Sequence, residues 1–206
     1  MMKKACTVLM ALGVSIQLSA CTPTGMAMGA GATLGVAAAQ EGGVRQAATD
    51  AKIRLTIHDL WFTHNVDMYR YLDMTVKEGR VLITGTVPDP DMRVDAVRLA
   101  WQAEDVSQVI NEINVDKKTG VKTYLKDTWI TSRLKTVLTF DKYVQSINYT
   151  VDTVNGTVYL MGVAQDTGER NRVIDHARNM SHVENVVSYV RLRSETPDNL
   201  RTAAAY

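Results

Sequence analysis

A tryptophan flanked by cations lies in the segment KDTWITSRLKTVL, residues 126–138. Apolar residues recur in this segment at helical spacing, which predicts a helix that packs one face on a core. Trp129 falls beside that face, and the stripe it starts carries positive charge. An indole ring among cations suits the headgroup level of a bilayer. The candidate lipid-contacting residues are Lys126, Trp129, Arg133, Lys135 and Phe140.

A cysteine near the amino terminus carries a different chemistry, covalent acylation. Lys3 and Lys4 precede the apolar run ACTVLMALGVSIQL, which is too short to span a bilayer as a mature helix. The next residues, LSAC at 18–21, resemble the lipobox of bacterial lipoproteins, in which the cysteine becomes the acylated first residue. We therefore predict lipidation at Cys21 after removal of a signal peptide, residues 1–20. The alternative is an ordinary cleaved signal with a chance cysteine.

The residues after the lipobox indicate a destination and a tether. In enteric bacteria an Asp after the acylated cysteine retains lipoproteins at the inner membrane, so Thr22 favours an outer-membrane anchor that faces the periplasm. Cys6 leaves with the signal peptide, so the mature chain can form neither an internal disulfide nor a thiolate metal cluster. A Gly- and Ala-rich run then extends to residue 48. We interpret it as a flexible tether, although its small residues four apart could also pack a membrane helix.

An internal repeat organises the remainder of the chain. Residues 50–116 align without a gap with residues 127–193. Apolar positions match even where the residues differ, as for Ile57 and Leu134 or Ile83 and Leu160. The identical pairs include Asp50 and Asp127, Ile53 and Ile130, Gly79 and Gly156, Gly85 and Gly162, and Asp89 and Asp166. Two copies of one small fold follow from this alignment.

Each copy predicts the same order of elements. A helix, at about 50–62 and 127–138, starts where Asp127 or Thr128 could cap its first turn. Two strands joined by Glu-Gly or Asn-Gly form a hairpin. A second helix follows, near 91–103 and 168–180, and a third strand closes the copy. Because such a crossover is right-handed, the last two strands should be parallel in a mixed three-stranded sheet. The predicted fold class is α+β, with two helices packed on each sheet.

The order α-β-β-α-β, the hairpin NGTVYLMG and a late V-x-x-V resemble the BON domain. Two such copies behind a lipobox are similar to the dual-BON outer-membrane lipoproteins of Gram-negative bacteria. The resemblance covers residues 18–21 and 50–193. It implies that the second domain recognises anionic phospholipid, that the protein supports envelope integrity, and that it has no catalytic activity. The family's membrane-facing helix ends in Leu-Leu-Thr, whereas this chain has Leu138, Thr139 and Phe140, a departure at Thr139.

These patterns divide the chain into six segments. The predicted boundaries are a signal peptide at 1–20, an acylated tether at 21–48, a first BON domain at 49–116, a basic linker at 117–126, a second BON domain at 127–193 and a tail at 194–206.

The repeat provides a control for the tryptophans. Trp129 aligns with Lys52, and because lysine is almost never fully buried without a partner, the shared fold should direct this position to solvent. The alternative is that Trp129 packs against the other repeat or the linker. Trp61 aligns with an apolar residue and is predicted to lie in the core. Trp101 aligns with Arg178 and is predicted to be exposed, without an assigned role.

The two halves of the repeat also differ in charge. Residues 50–116 carry seven Lys and Arg against twelve Asp and Glu, a formal −5, whereas residues 117–193 carry twelve against seven, a formal +5. Near an anionic surface each cation is worth about 1 kcal/mol, within a short screening length. The lysines around the linker are Lys117, Lys118, Lys122 and Lys126. They either add to this attraction or merely solvate the linker.

We predict no catalytic site, metal, cofactor or small-molecule substrate. The histidines fall at unrelated positions of the repeat and show no metal-ligand spacing; they are His58, His64, His176 and His182. No glycine loop that could cradle phosphate is present, and too few aromatics accompany the basic residues for a nucleic-acid site. Two alternatives remain open. One is a protein-interaction scaffold of an envelope or secretion complex, with an envelope protein as partner. The other is a soluble osmotic-stress protein, which the lipobox disfavours.

Overall fold

A computed structural model describes residues 42–116 and 121–195 of the chain. The predicted signal peptide, Cys21 and most of the predicted tether lie outside the described residues. So do Lys117, Lys118 and the tail beyond residue 195. The described residues hold no helix that is both long and apolar enough to cross a bilayer.

The described chain forms two domains of the same topology. Domain 1 consists of α1 (Gly43–His64), α2 (Val66–Tyr71), β1 (Leu72–Lys77), β2 (Arg80–Val87), α3 (Pro90–Ala100) and β3 (Gln108–Val115). Domain 2 consists of α4 (Val121–Phe140), β4 (Tyr149–Val154), β5 (Thr157–Ala164), α5 (Thr167–Arg178) and β6 (Asn185–Leu192), with a 3-10 turn at Ser146–Asn148. In each sheet the first two strands are antiparallel and the last two are parallel. The predicted α+β fold with two mixed three-stranded sheets is confirmed.

Both hairpin turns need a left-handed backbone, as the Glu-Gly and Asn-Gly pairs predicted. Gly79 and Gly156 have φ of 70° and 75°, and the residues before them have φ of 54° and 51°. Glycine adopts this region without strain, because it has no Cβ. The two turns therefore place the strands of both hairpins in the same register.

An aspartate at the same position of each first helix holds the hairpin turn. Asp127 accepts hydrogen bonds from the backbone N–H groups of Asn155 and Gly156, at 2.8 and 2.9 Å. Asp50 does the same for its own turn, with both N–H groups at 2.9 Å. The prediction that Asp127 or Thr128 caps the helix is wrong, because α4 already begins at Val121.

Both first helices start earlier than the sequence pattern predicted. α1 begins at Gly43, after Gly42 at φ 89°, so the last residues of the predicted tether are helical. The segment VRQAA contains good helix formers, which extend the helix beyond its core-facing stripe. In the same way, α4 includes the second half of the predicted linker. The short helix α2 was not predicted; Asn65 caps it by accepting the N–H of Asp67 at 2.9 Å.

The helices of each domain cover one face of its sheet. In domain 1, Ile53, Ile57 and Trp61 from α1 are buried against the sheet and α3. The Trp61 Nε1 donates a hydrogen bond to the Ala96 carbonyl at 3.1 Å, so the indole is both buried and satisfied. The prediction that Trp61 belongs to the core is confirmed. Ile130, Leu134 and Leu138 form the corresponding stripe of α4 in domain 2.

The opposite faces of the two sheets pack on each other. Side chains alternate along a strand, so Leu82 of β2 points away from the helices and joins Ile110, Tyr159 and Met161 in a separate apolar cluster. Polar contacts surround that cluster. Arg80 Nη1 donates to the Tyr189 carbonyl at 3.0 Å, and the hydroxyls of Thr84 and Tyr189 donate to Asp152 and Glu112. The layers therefore run helices, sheet, sheet, helices, and the outer surface of α4 faces away from domain 1.

Candidate functional site

Trp129 lies on the outer surface of α4 and is 48% exposed. Its ring meets the imidazole of His182 edge to face, with ring centroids 5.7 Å apart and an interplanar angle of 82°. His182 follows α5, so this contact ties the start of domain 2 to the segment before its last strand. The expectation that the position faces solvent is confirmed, and the indole is not part of the core.

The corresponding positions of domain 1 hold an ion pair instead. Lys52 Nζ lies 2.6 Å from Glu104 Oε2 and 3.9 Å from Asp105 Oδ2. Asp105 aligns with His182, and both adopt positive φ, at 68° and 71°. The same backbone therefore supports either an ion pair or an aromatic pair. Of the two domains, domain 2 is the one with a large aromatic ring at this position.

The charge of Lys126 is balanced by a neighbouring carboxylate. Its Nζ lies 2.7 Å from Glu184 Oε1. The hydrogen bond and the positive charge of Lys126 lower the pKa of Glu184. Because Glu184 is in the last loop of domain 2, spacing within the α4 segment could not reveal it. Lys126 is thus less available to an external anion than the sequence suggested.

Arg133 and Phe140 lie further along the same stripe and border a groove of about 610 Å³ at the end of α4. Phe140 is 85% exposed. The lining residues are Arg133, Thr136, Val137, Phe140, Asp141, Lys142, Tyr143, Arg172 and His176. The stripe also includes Leu125, which is exposed and was not predicted. An apolar and cationic strip therefore runs from Leu125 through Trp129 to this groove.

Two cations flank the exposed ring of Tyr143 in the groove. The Arg172 guanidinium carbon is 4.8 Å and the Lys142 Nζ is 4.9 Å from the ring centroid, both within cation–π range. Sequence reasoning missed these three residues. Helical spacing relates residues of one element only, and Arg172 reaches the groove from α5. Tyr143 had one usable signal, since the repeat aligns it with Val66 and an apolar residue recurs at that position just after the first helix.

Asp141 fixes the loop that carries Tyr143. Its Oδ1 accepts the Tyr143 N–H at 2.9 Å, and its Oδ2 lies 2.6 Å from His176 Nε2. The hydrogen bond with His176, then that from the Tyr143 backbone, hold the pKa of Asp141 below its usual value. Arg172 Nη1 is 3.9 Å from the same carboxylate. The ring of Tyr143 is therefore held in place at the mouth of the groove.

Lys135 does not join the other predicted residues. It lines a cleft of about 570 Å³ between the two domains, together with Asp152 and several hydroxyl side chains. The helical period explains this position, because Lys135 is more than a quarter turn away from the line through Trp129 and Phe140. The structure thus brings Trp129, Arg133 and Phe140 onto one surface, with Lys126 at its edge.

Within residues 42–116 and 121–195, no three His, Cys, Asp or Glu side chains are grouped so that they could hold a metal ion. The polar groups of the outer α4 surface are cations and hydroxyls, which can bind anions and donate hydrogen bonds. The site is thus suited to a surface that is negatively charged and partly apolar.

The sequence matches the BON domain family over residues 67–117 and 126–194. It is similar to the Anaplasma centrale protein named "Uncharacterized protein in gshII 5'region", with 41% identity over 70% of this chain and 95% of that protein. It is also similar to "Outer membrane lipoprotein DolP" of Haemophilus influenzae, with 34% identity over 53% of this chain and 56% of that protein. The "21 kDa hemolysin" of Actinobacillus pleuropneumoniae is 30% identical over 58% of this chain and 61% of that protein. The chain thus spans less than two thirds of these last two relatives.

Proposed function

Because this chain belongs to the BON-domain family, we propose that it is an envelope lipoprotein whose second domain docks on anionic phospholipid. Docking uses the outer surface of α4, and it supports the integrity of the cell envelope. The protein is held by acylated Cys21 at the outer membrane and faces the periplasm.

The observation that carries this proposal is the pair of exposed aromatic rings on α4, Trp129 and Phe140. Domain 1 has Lys52 and Thr63 at the aligned positions, so the fold itself does not require rings there. Large exposed apolar side chains rimmed by polar groups are typical of interaction surfaces. Aromatic rings with nearby cations are typical of the bilayer interface.

Charge gives the docking a direction. The domain 2 half carries a formal +5 and the domain 1 half a formal −5. An anionic surface therefore attracts one domain and repels the other within a Debye length of about 8–10 Å. Since the two sheets pack on each other, this polarity orients the whole folded part.

The lipid anchor supplies the second contact that stable attachment requires. A few cations and two rings give weak, reversible binding, and an acyl chain adds about 0.8 kcal/mol per buried CH₂. The lipobox LSAC supports acylation at Cys21, and the similarity to a protein named as an outer membrane lipoprotein agrees with it. Incorporation of a labelled acyl chain should be lost in the Cys21→Ser variant.

Vesicle co-sedimentation tests the docking itself. The mature chain with Cys21→Ser removes the anchor, so any remaining binding comes from the protein surface. We expect binding to vesicles with anionic lipid, no binding to zwitterionic vesicles, and a decrease with added salt. Equal binding to both kinds of vesicle would contradict the proposal.

A protein-interaction scaffold is the second candidate function, and a patch on domain 1 favours it. Phe62 and Tyr69 are exposed and meet edge to face, with ring centroids 6.3 Å apart. The imidazole of His58 also meets the Tyr69 ring edge to face, with ring centroids 5.2 Å apart. If this patch binds an envelope protein, Phe62→Ser should remove the partner from a pull-down while vesicle binding stays unchanged.

A further inference from the structure

The end of α4 concentrates positive charge that the protein neutralises only in part. Arg133 and Lys142 have no carboxylate within ion-pair distance among the described residues, and Arg172 reaches Asp141 only at 3.9 Å. Asp141 is already engaged by His176 and by the Tyr143 N–H. In contrast, Lys126 at the other end of the strip is paired with Glu184. The groove is therefore the part of the strip that is best suited to an external anion.

The groove is open to solvent, but contacts within the protein arrange its cations. Asp141 holds the backbone of Tyr143, and the Tyr143 ring in turn lies beside both Arg172 and Lys142. These contacts limit the freedom of the two cations before any ligand arrives, which lowers the entropy lost on binding. The groove, of about 610 Å³, is shallow enough to reach a headgroup that remains part of a bilayer.

Domain 1 shows that the fold does not need these residues. At the aligned positions it has Thr56 for Arg133, Asn65 for Lys142, Val66 for Tyr143 and Asp95 for Arg172. There, Asp95 lies 3.1 Å from His64, which aligns with Asp141. In domain 1 the acid lies on the second helix, at Asp95, whereas in domain 2 it follows the end of the first helix, at Asp141. Asp95 is also paired with Arg98 at 2.7 Å, whereas Arg172 reaches a carboxylate only at 3.9 Å. The aligned position thus holds a paired carboxylate in domain 1 and a weakly paired guanidinium in domain 2.

We propose that this groove binds the phosphate of one anionic phospholipid headgroup within a bilayer, with Arg133 and Arg172 as its donors. Planar guanidinium groups bind phosphate oxygens through paired hydrogen bonds. Phe140, which projects beside the groove, then enters the acyl region next to the bound headgroup. This inference rests on the proposed function and adds to it a defined headgroup contact, distinct from general attraction between charges.

Replacement of Arg172 distinguishes a defined contact between its guanidinium and the lipid phosphate from general attraction between opposite charges. The test compares Arg172→Lys, which keeps the charge, with Arg172→Gln, which removes it, in the mature Cys21→Ser chain. Lys135→Gln is the matched control, because it removes one charge from the cleft side of α4. On phosphatidylglycerol-containing vesicles we expect both Arg172 variants to bind about fivefold more weakly. Lys135→Gln should stay within about twofold, since a single cation away from the surface contributes less.

Each other outcome has a definite meaning. Unchanged binding by Arg172→Lys would overturn the headgroup site but leave membrane docking intact. Loss of vesicle binding by the unmodified Cys21→Ser chain would overturn the proposed function itself. If glycerol phosphate displaced the protein from vesicles at the same phosphate concentration as the lipid, the groove would bind soluble anions and the inference would be wrong. Circular dichroism checks folding, and Arg133→Lys serves as a second variant should Arg172→Lys unfold.

Discussion

The indole of Trp129 contacts the imidazole of His182 edge to face at the two positions where domain 1 has Lys52 and Asp105. Lys52 lies 3.9 Å from Asp105 and 2.6 Å from the neighbouring Glu104. The contact between helix and loop is retained in both domains, but an ion pair has been exchanged for an aromatic pair. An exchange of this kind leaves the fold unchanged and alters only what the surface can bind. It is therefore a good place to test function without disturbing stability.

Trp129→Glu should weaken binding to anionic vesicles by about tenfold or more. The change removes an interfacial ring and adds a negative charge, and the charge alone is worth about 1 kcal/mol near such a surface. Trp101→Glu is the matched control, because Trp101 is 53% exposed, on domain 1. Co-sedimentation measures both variants. An equal loss in the two would show that net charge, and not this surface, controls binding.

Phe140→Ser should also reduce vesicle binding, by several-fold, while the free energy of unfolding changes by less than about 0.5 kcal/mol. The ring is almost fully exposed in the folded protein, so its removal leaves no cavity. Phe62→Ser removes an exposed ring from domain 1 and should not alter vesicle binding. Co-sedimentation measures vesicle binding, and urea unfolding measures the free energy of unfolding. A large loss of stability in Phe140→Ser would contradict its placement on the surface.

Asp127→Ala should destabilise the protein by about 1–3 kcal/mol, because it removes the acceptor of the buried Gly156 N–H and of the part-buried Asn155 N–H. Thr128→Ala should cost far less, since the exposed Thr128 hydroxyl only donates to the Tyr124 carbonyl one turn earlier. Denaturant unfolding of the two variants distinguishes a turn-holding aspartate from a helix cap. If the two variants lost equal stability, the result would favour a helix-capping role for these residues over the turn-holding role of Asp127.

Asp141→Asn should reduce stability at neutral pH and have less effect in acid. The pKa of Asp141 is lowered in the folded protein, so its carboxylate stabilises the fold above the unfolded pKa of about 3.9. This contribution is lost as the pH falls through the lower, folded pKa. Unfolding curves at pH 7 and at about pH 3 should therefore show the wild type approaching the variant. A difference independent of pH would contradict the charged role of Asp141.

The repeat, the hairpins and the cores could be predicted because they depend on local spacing. Asn-Gly between β-branched residues, or Ile130 followed by Leu134, constrains a single element or its nearest neighbour. The partner of Lys126 and the position of Arg172 depend instead on how α4 packs against α5 and its loop. Helical period cannot supply that information. It does separate Lys135 from the line through Trp129 and Phe140, so the grouping of Lys135 with them gave too little weight to that period.

The packing of the two sheets had a signal in the sequence. The segment VYLMGVA of β5 is apolar at consecutive positions, which indicates a strand covered on both faces. Only one of those faces is accounted for by the helices of its own domain. Tyr159 and Met161 of this segment lie in the cluster between the sheets. The pattern can indicate that a second layer exists, but it cannot identify domain 1 as that layer.

The back-to-back sheets give the protein two outward sides that look in opposite directions. If α4 docks on a leaflet as proposed, α1 and α3 face away from that leaflet. The aromatic patch at Phe62 and Tyr69 then lies on domain 1, away from the lipid-facing side of α4. A partner held there would be kept at a set height above the lipid, and neither binding event would obstruct the other.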